Sequence, residues 1–411
     1  MGRLQSLKLV QDKSPSESRY KELKGEFWAA QQRRMHSLHY VVNYRDSFKP
    51  ELPDFCIKRY SAAGDIVLDP FAGRGTTALQ ANLLGRVAWA RDIEPLAVQF
   101  TKAKTAPVGL DEIVLRLNEV DFLRPVSLRD FRGDLSPFYH PDTYRELVNL
   151  RTHIARKRDV VNDFIELLVV SRLHGHSKGY FSAYTFAEAS LLPERQVLLN
   201  RKRHCEPDYR PVAPRIIKRA AEALRDGFST DFFEVASSNN IAISDARAMR
   251  DLPPNSVDLI VTSPPLPLDD EPEASDMWIE FWFTGLRRQY EELGSFGGSG
   301  QWRKFISEGL REMLRVLKPR CYAVIEAVET SVGSEQVELD RIITEEAEKL
   351  SAGQKRFVVD EVLVNQQKFS RLKESVDVDS WRGGSDGNKL VVLRSMPTRT
   401  NALKAERAMK K

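Results

Sequence analysis

The segment Leu68-Asp69-Pro70-Phe71-Ala72-Gly73-Arg74-Gly75-Thr76-Thr77 constrains this chain more than any other stretch of it. Residues 65–68 are a short apolar run ending at Asp69, and residues 77–84 are Ala/Leu-rich with helical spacing. The pattern therefore predicts strand, glycine turn, helix. Residues 86–93 (RVAWARDI) read as a second buried strand ending in Asp92, and Pro95 opens another helix. This is a βαβ unit, for which a right-handed crossover is expected. Gly73 and Gly75 lack a β-carbon and tolerate positive φ, so the backbone can pass close to a ligand. Asp92, roughly 20 residues on, is placed to reach ribose hydroxyls, as in nucleoside-binding βαβ units. Taken alone, residues 73–78 also satisfy the dinucleotide pattern G-x-G-x-x-A, so a nicotinamide enzyme competes at this point.

Helical periodicity dominates from about residue 111 to residue 239, and it interrupts the α/β alternation. Strand-like runs resume at 241–244 and 257–262, followed by an acidic stretch (Asp269, Asp270, Glu271, Glu273) and an aromatic-rich helix over 277–293. A Gly/Ser-rich loop at 294–300, a helix over 302–317 and strands at 321–327, 357–364 and 389–393 complete the pattern. The expected fold is α/β, a Rossmann-like doubly wound sheet of about seven strands with a helical insertion. A chain of 411 residues accommodates one such domain plus an embedded subdomain. The expected boundaries are an extension over 1–32, a cofactor-binding part over 33–110, the insertion over 111–239, a catalytic part over 240–396 and a basic tail over 397–411.

A formal charge of +4 permits nucleic-acid binding without arguing for it, so local clusters must carry that case. Cys56, Cys205 and Cys321 have no paired spacing, which speaks against a disulfide framework or a zinc site. No apolar run is long enough to span a bilayer, and the amino terminus lacks the hydrophobic stretch of a secretory signal. A cytoplasmic protein with reduced thiols and no membrane partner is expected.

The second informative segment is 256–265, Ser-Val-Asp-Leu-Ile-Val-Thr-Ser-Pro-Pro, a buried strand running into a stiff double-proline loop. Together with residues 68–77 it resembles the cofactor and catalytic motifs of the DNA amino-methyltransferases, of the Ser-Pro-Pro-Tyr type. The resemblance implies an S-adenosylmethionine cofactor. It assigns Asp69 to the amino-acid end of that cofactor, Phe71 to packing beside it, and Asp245 to its adenine amine. Pro70, Thr76 and Thr77 complete the family loop and weigh against the dinucleotide reading. Residues 33–52 resemble a His-x-x-His-Tyr and Lys-x-Pro-x-Leu element that wraps the cofactor in some of these enzymes, which adds His39 and Tyr40. His36 and His39 alone do not make a zinc site.

An exocyclic amine is a poor nucleophile because its lone pair is delocalised into the ring. Ser263 Oγ and the Pro264 carbonyl would accept its two protons and leave the lone pair aimed at the sulfonium methyl. Pro265 stiffens the loop, and Leu266 stands where the family has an aromatic that stacks on the flipped base. Either Trp278, Trp282 or Tyr290 supplies that stack, or the substrate differs, or catalysis is lost. In the insertion, Arg172, His174, Lys178 and Tyr180, followed by Arg201, Lys202 and Arg203, mix cations with aromatics in a way that suits phosphate contact and base stacking. The function implied is methylation of an exocyclic amine in DNA by base flipping and in-line transfer, with cytosine N4 favoured over adenine N6. The alternatives are a catalytically degenerate DNA-binding subunit and an RNA methyltransferase. DNA is the expected partner, and a cognate restriction or defence subunit is the protein partner such an enzyme would have.

Overall fold

In the computed structural model the described residues are 20–28, 35–42, 48–186, 190–267, 277–287, 299–328, 330–332, 335–352, 354–366 and 388–398. The acidic stretch 269–273, Tyr290, most of the Gly/Ser-rich loop and the basic tail lie outside them. The amino-terminal part comprises β1 (Glu22–Gly25), a 3-10 turn (Ser37–Tyr40), α1 (Glu51–Tyr60), β2 (Ile66–Asp69), α2 (Thr76–Leu83), β3 (Val87–Asp92) and α3 (Pro95–Thr105). Six further α-helices follow before the next strand of the sheet: α4 (Leu110–Asn118), α5 (Pro141–Arg156), α6 (Val160–Val170), α7 (Pro193–Arg203), α8 (Val212–Ala223) and α9 (Thr230–Ala236). The chain then returns through β4 (Asn240–Ile243), β5 (Val257–Thr262), α10 (Trp278–Thr284), α11 (Ser299–Val316) and β6 (Leu317–Ala327). It closes with β7 (Thr330–Val332), β8 (Glu335–Val337), α12 (Leu339–Lys349), β9 (Ser351–Ala352), β10 (Lys355–Asn365) and β11 (Asn388–Pro397).

The main sheet runs in the order β1-β10-β11-β6-β5-β2-β3-β4, with β9 paired to β10. Strands β2 to β6 are mutually parallel, and β11 is antiparallel to both β6 and β10. A parallel block with one reversed strand is a Rossmann-like doubly wound sheet, and its order reverses between β2 and β5. At such a reversal the helices on either side diverge, and a crevice opens at the carboxyl ends of the strands. The two sequence motifs sit there, one at the end of β2 and the other at the end of β5.

The described sheet has nine strands rather than seven. Strand β1 lies parallel along β10, and it escapes hydrophobic patterning because ELKG alternates exposed and half-buried positions. Strand β6 begins at Leu317, not residue 321, and runs through Pro319. Pro319 is tolerated because it lies where the β5–β6 register shifts and the ladder is interrupted.

The helices between β3 and β4 bury an apolar cluster built on Leu147, Leu150, Phe164, Leu168 and Ile216, and Leu79, Leu96 and Phe100 of α2 and α3 belong to the same cluster. The insertion thus shares its core with the βαβ unit. Its return into the sheet is pinned by Asn239, which accepts from the Ala88 amide at 2.8 Å and exchanges amide hydrogen bonds with Asn82 at 3.0 and 2.8 Å. Asn239→Ala strips three bonds at once and leaves the Ala88 N–H in β3 without its acceptor. It should destabilise the protein by about 1–3 kcal/mol, read as a lower thermal unfolding midpoint.

Candidate functional site

The cofactor turn is a tight, internally satisfied structure. Gly73 and Gly75 have φ of 48° and 74°. A β-carbon on Gly75 would stand 2.7 Å from Thr101 Oγ1 and 2.9 Å from its Cα, so this glycine lets α3 pack against the start of α2. The Gly73 amide donates to Asp92 Oδ2 at 2.8 Å and the Glu94 amide to Oδ1 at 2.9 Å, which ties the turn to the end of β3. Behind it the wholly buried Lys104 donates to the Arg74 carbonyl at 2.8 Å. Burial, with the Arg74 and Arg219 cations nearby, lowers the pKa of that ammonium well below the usual lysine range.

Asp69 connects the two motifs. Its carboxylate is buried and accepts from the Thr262 hydroxyl at 2.6 Å and from the Phe71 amide at 3.1 Å. Thr77 donates to the Val261 carbonyl at 3.3 Å. The carboxyl ends of β2 and β5 are thereby fastened side by side. Burial raises the Asp69 pKa to about 6, against the pull of hydrogen bonds from Thr262, Thr77 and Phe71.

At the end of β5 the Ser263 hydroxyl donates to the Glu326 carboxylate. Glu326 lies one residue beyond the Thr262–Ile325 pair on the neighbouring parallel strand β6. It is 5% exposed, and burial raises its pKa to about 7. The indole of Trp302, wholly buried on α11, donates to the Pro265 carbonyl at 2.7 Å. Leu266 and Phe71 both pack at the edge of the apolar cluster that contains Trp302 and Phe305. The double-proline loop is therefore held by the Ser263–Glu326 contact at one point and by the Trp302 indole at another.

Asp245, expected near the cofactor's adenine, is clasped by the Arg247 guanidinium at 2.7–3.0 Å. Arg247 also lies 5.6 Å over the Phe305 ring, whose centroid is 5.6 Å from that of Phe71. Asp245 and Phe71 thus belong to one wall through Arg247 and Phe305. Pro70, Thr76 and Thr77 are buried within or beside the turn.

Two expected contacts have other roles. His39 is 1% exposed and bonded to Gln80 of α2 at 2.8 Å, so it braces the helix behind the turn and does not face a ligand. Burial and the Lys104 charge keep it neutral. Tyr40, half-buried, receives the Met35 amide at 3.4 Å. His174 is 7% exposed, with Glu280 Oε1 at 2.7 Å and the Phe186 carbonyl at 2.8 Å, and it is internal rather than available to nucleic acid. Arg172 pairs with Glu222 at 3.0 Å and covers the Tyr180 ring at 5.0 Å, whereas Lys178, Arg201, Lys202 and Arg203 are exposed. Trp278 and Trp282 are engaged inside the insertion, Trp278 through the Leu191 carbonyl at 2.9 Å and Trp282 against Tyr144 at 5.9 Å. Among the described residues no three of His, Cys, Asp and Glu gather as a metal site, and no helix is long and apolar enough to cross a membrane.

Glu326, Trp302 and Arg247 escape motif reading, and Thr262, though inside the second motif, shows no partner in the sequence. Only Glu326 leaves a trace in the sequence, as a lone acid in the otherwise apolar run Ala-Val-Ile-Glu-Ala-Val.

Residues 5–103 match the profile of the N6_N4_Mtase family, described as DNA methylase. Type II methyltransferase M.MjaII of Methanocaldococcus jannaschii is 32% identical over 84 residues, 20% of this chain and 16% of that protein. Type II methyltransferase M.BsoBI of Geobacillus stearothermophilus is 31% identical over 103 residues, 24% of this chain and 20% of that protein. The chain thus spans a fifth or less of these curated relatives. A SAM-dependent methyltransferase of Methanosarcina mazei overlaps 83% of this chain and 97% of its own at 10% identity, with a TM-score of 0.32. The segment of the chain that holds the glycine turn is thus similar to DNA methylases. Gly73, Gly75 and Asp92 place a glycine turn and an acid at the switch point, the frame that nucleoside-binding βαβ units share.

Trp302→Phe keeps the ring in the core but removes the bond to Pro265. Turnover should fall about tenfold through misplacement of the loop, with cofactor affinity unchanged by calorimetry.

Proposed function

We propose that this protein transfers a methyl group from S-adenosylmethionine to an exocyclic amine of a base flipped out of DNA, cytosine N4 ahead of adenine N6. The observation that carries the reading is the Ser263–Glu326 dyad at the end of β5, fastened through Thr262 and Asp69 to the cofactor turn. When bound, the cofactor supplies an electrophilic methyl on a sulfonium. Asp69, Phe71, Gly73, Gly75, Asp92 and Asp245 would hold it against the ends of β2, β3 and β4.

The Ser263 hydroxyl donates its hydrogen bond to Glu326, which leaves its oxygen lone pairs to accept from the amine. The Pro264 carbonyl accepts the second amine proton. This leaves the nitrogen lone pair directed at the methyl, and the acceptors need no reorganisation during the reaction. As the nitrogen–carbon bond forms and the methyl–sulfur bond breaks, the nitrogen carries one proton too many. That proton passes to Ser263 Oγ while the serine proton moves to the Glu326 carboxylate. Glu326 is suited to this because burial raises its pKa to about 7, near the pH at which the proton must be taken and later released. Lys178 and the cations of α7 would meet DNA phosphates. Serine ahead of the prolines favours cytosine N4.

Incubation with methyl-labelled cofactor and mixed-sequence DNA, followed by nucleoside analysis, tests the reading. The expected product is N4-methylcytosine. N6-methyladenine would correct the base, label in RNA alone would correct the substrate, and tight cofactor binding without transfer would favour the degenerate subunit.

The dyad also makes a pH prediction. Only ionised Glu326 can take a proton, so single-turnover rates should rise with pH through about 7. Glu326→Gln should remove that limb and most of the rate. A buried carboxyl with a raised folded pKa stabilises the protein below its ordinary pKa, and that contribution is lost as pH rises through about 7. Glu326→Gln should therefore raise the unfolding midpoint relative to wild type at pH 8 and much less at pH 5.5. Lower activity together with higher stability would separate a catalytic role from a structural one.

A further inference from the structure

Helix α7 is built unlike the other helices of the insertion. Of its eleven residues only Gln196 is buried, and Leu198 is 63% exposed in the middle of its outer side. Helices α5, α6 and α8 bury several apolar side chains each. Polar bonds hold α7 from behind. Gln196 donates to the Tyr184 carbonyl at 2.9 Å, Asn200 to the Pro137 carbonyl at 2.7 Å, and the Arg203 guanidinium lies 3.6 Å over the Tyr184 ring. A helix carried in this way gains little from hydrophobic burial, so its exposed face is free to be specified by something outside the chain.

That face is cationic. Helical spacing puts Leu198, Arg201 and Lys202 side by side, and all three are exposed. The structure gives no carboxylate to Arg201, Lys202 or Arg203 among the described residues, whereas Arg116, Arg145, Arg158 and Arg172 elsewhere in the insertion are each paired with one. Unpaired cations around an uncovered apolar side chain complement a polyanion that also offers apolar edges.

The helix is also tied to the catalytic half. The turn entering α7 is bonded to α10 through Trp278 and the Leu191 carbonyl at 2.9 Å, and through Ser190 and Glu280 Oε2 at 2.9 Å. His174 closes the same buried cluster on Glu280. Helix α10 follows the Ser263-Pro264-Pro265 loop in the chain, so α7 has a fixed connection to the element downstream of that loop.

The geometry points to α7 as the docking face for duplex DNA, with Arg201 and Lys202 on phosphates and Leu198 against the duplex. This deepens the reading of the protein as a DNA amino-methyltransferase and rests on it. Binding of a fluorescein-labelled mixed-sequence duplex to the full chain, followed by anisotropy across a salt series, tests it. Each phosphate contact contributes about 0.9 to the slope of log affinity against log salt, so the double variant Arg201→Gln/Lys202→Gln should lose about 2 units of slope. Leu198→Glu should weaken binding at least about tenfold. Cofactor affinity measured by calorimetry should stay at the wild-type value in both, showing that they fold. Wild-type slope and affinity in both variants would overturn the assignment of α7 alone. A wild-type protein that binds cofactor but no duplex, or that prefers single-stranded RNA of the same sequence, would overturn the DNA reading with it.

Discussion

The hydrogen bond from Thr262 to Asp69 is the contact on which the rest of the site depends. Asp69 ends β2 and Thr262 ends β5, the two strands on either side of the point where the sheet reverses its order. A buried carboxylate in that position would be costly if left unsatisfied, and here it is offset by donors from both motifs. The consequence is geometric. Ser263 is the next residue after Thr262, so the hydroxyl proposed to address the amine is one peptide away from the anchor that fixes the glycine turn.

The same principle extends outward in shells of buried polar contacts. Asp92 receives the Gly73 amide, Lys104 holds the Arg74 carbonyl, and Gln80 with His39 backs the following helix. At the end of β5 Glu326 accepts a hydrogen bond from the Ser263 hydroxyl and Trp302 donates to the Pro265 carbonyl. Most of these contacts position backbone, and groups fixed in this way need no reorganisation when a ligand is bound.

Much of this was legible in the residues. The strand ends at Asp69, Asp92 and Thr262 fell within a residue or so of prediction, because apolar runs closed by Gly and Pro are strong local signals. Strand β1 was not legible, since a four-residue edge strand with alternating exposure has no hydrophobic signature. His39 was expected at the cofactor through its resemblance and His174 at DNA from its polar neighbours, yet both are buried braces, and burial is decided by partners far away in sequence: Gln80 for one and Glu280 for the other. The reading of α7 as a cationic segment needed only the Arg-Lys-Arg run. That it is a separately carried helix with an uncovered Leu198 did not follow from it.

The sequence by itself determined the two motifs, the order of the elements and the chemistry that Ser263 and its prolines can offer, because each of these is written in contiguous residues with local periodicity. The tertiary structure alone decided which acid stands behind Ser263, which indole holds the loop and how Asp245 is shared with Arg247. Those partners lie on separate strands and helices, Glu326 being 63 positions from Ser263. They meet only because parallel strands pair in register and α11 packs across their ends.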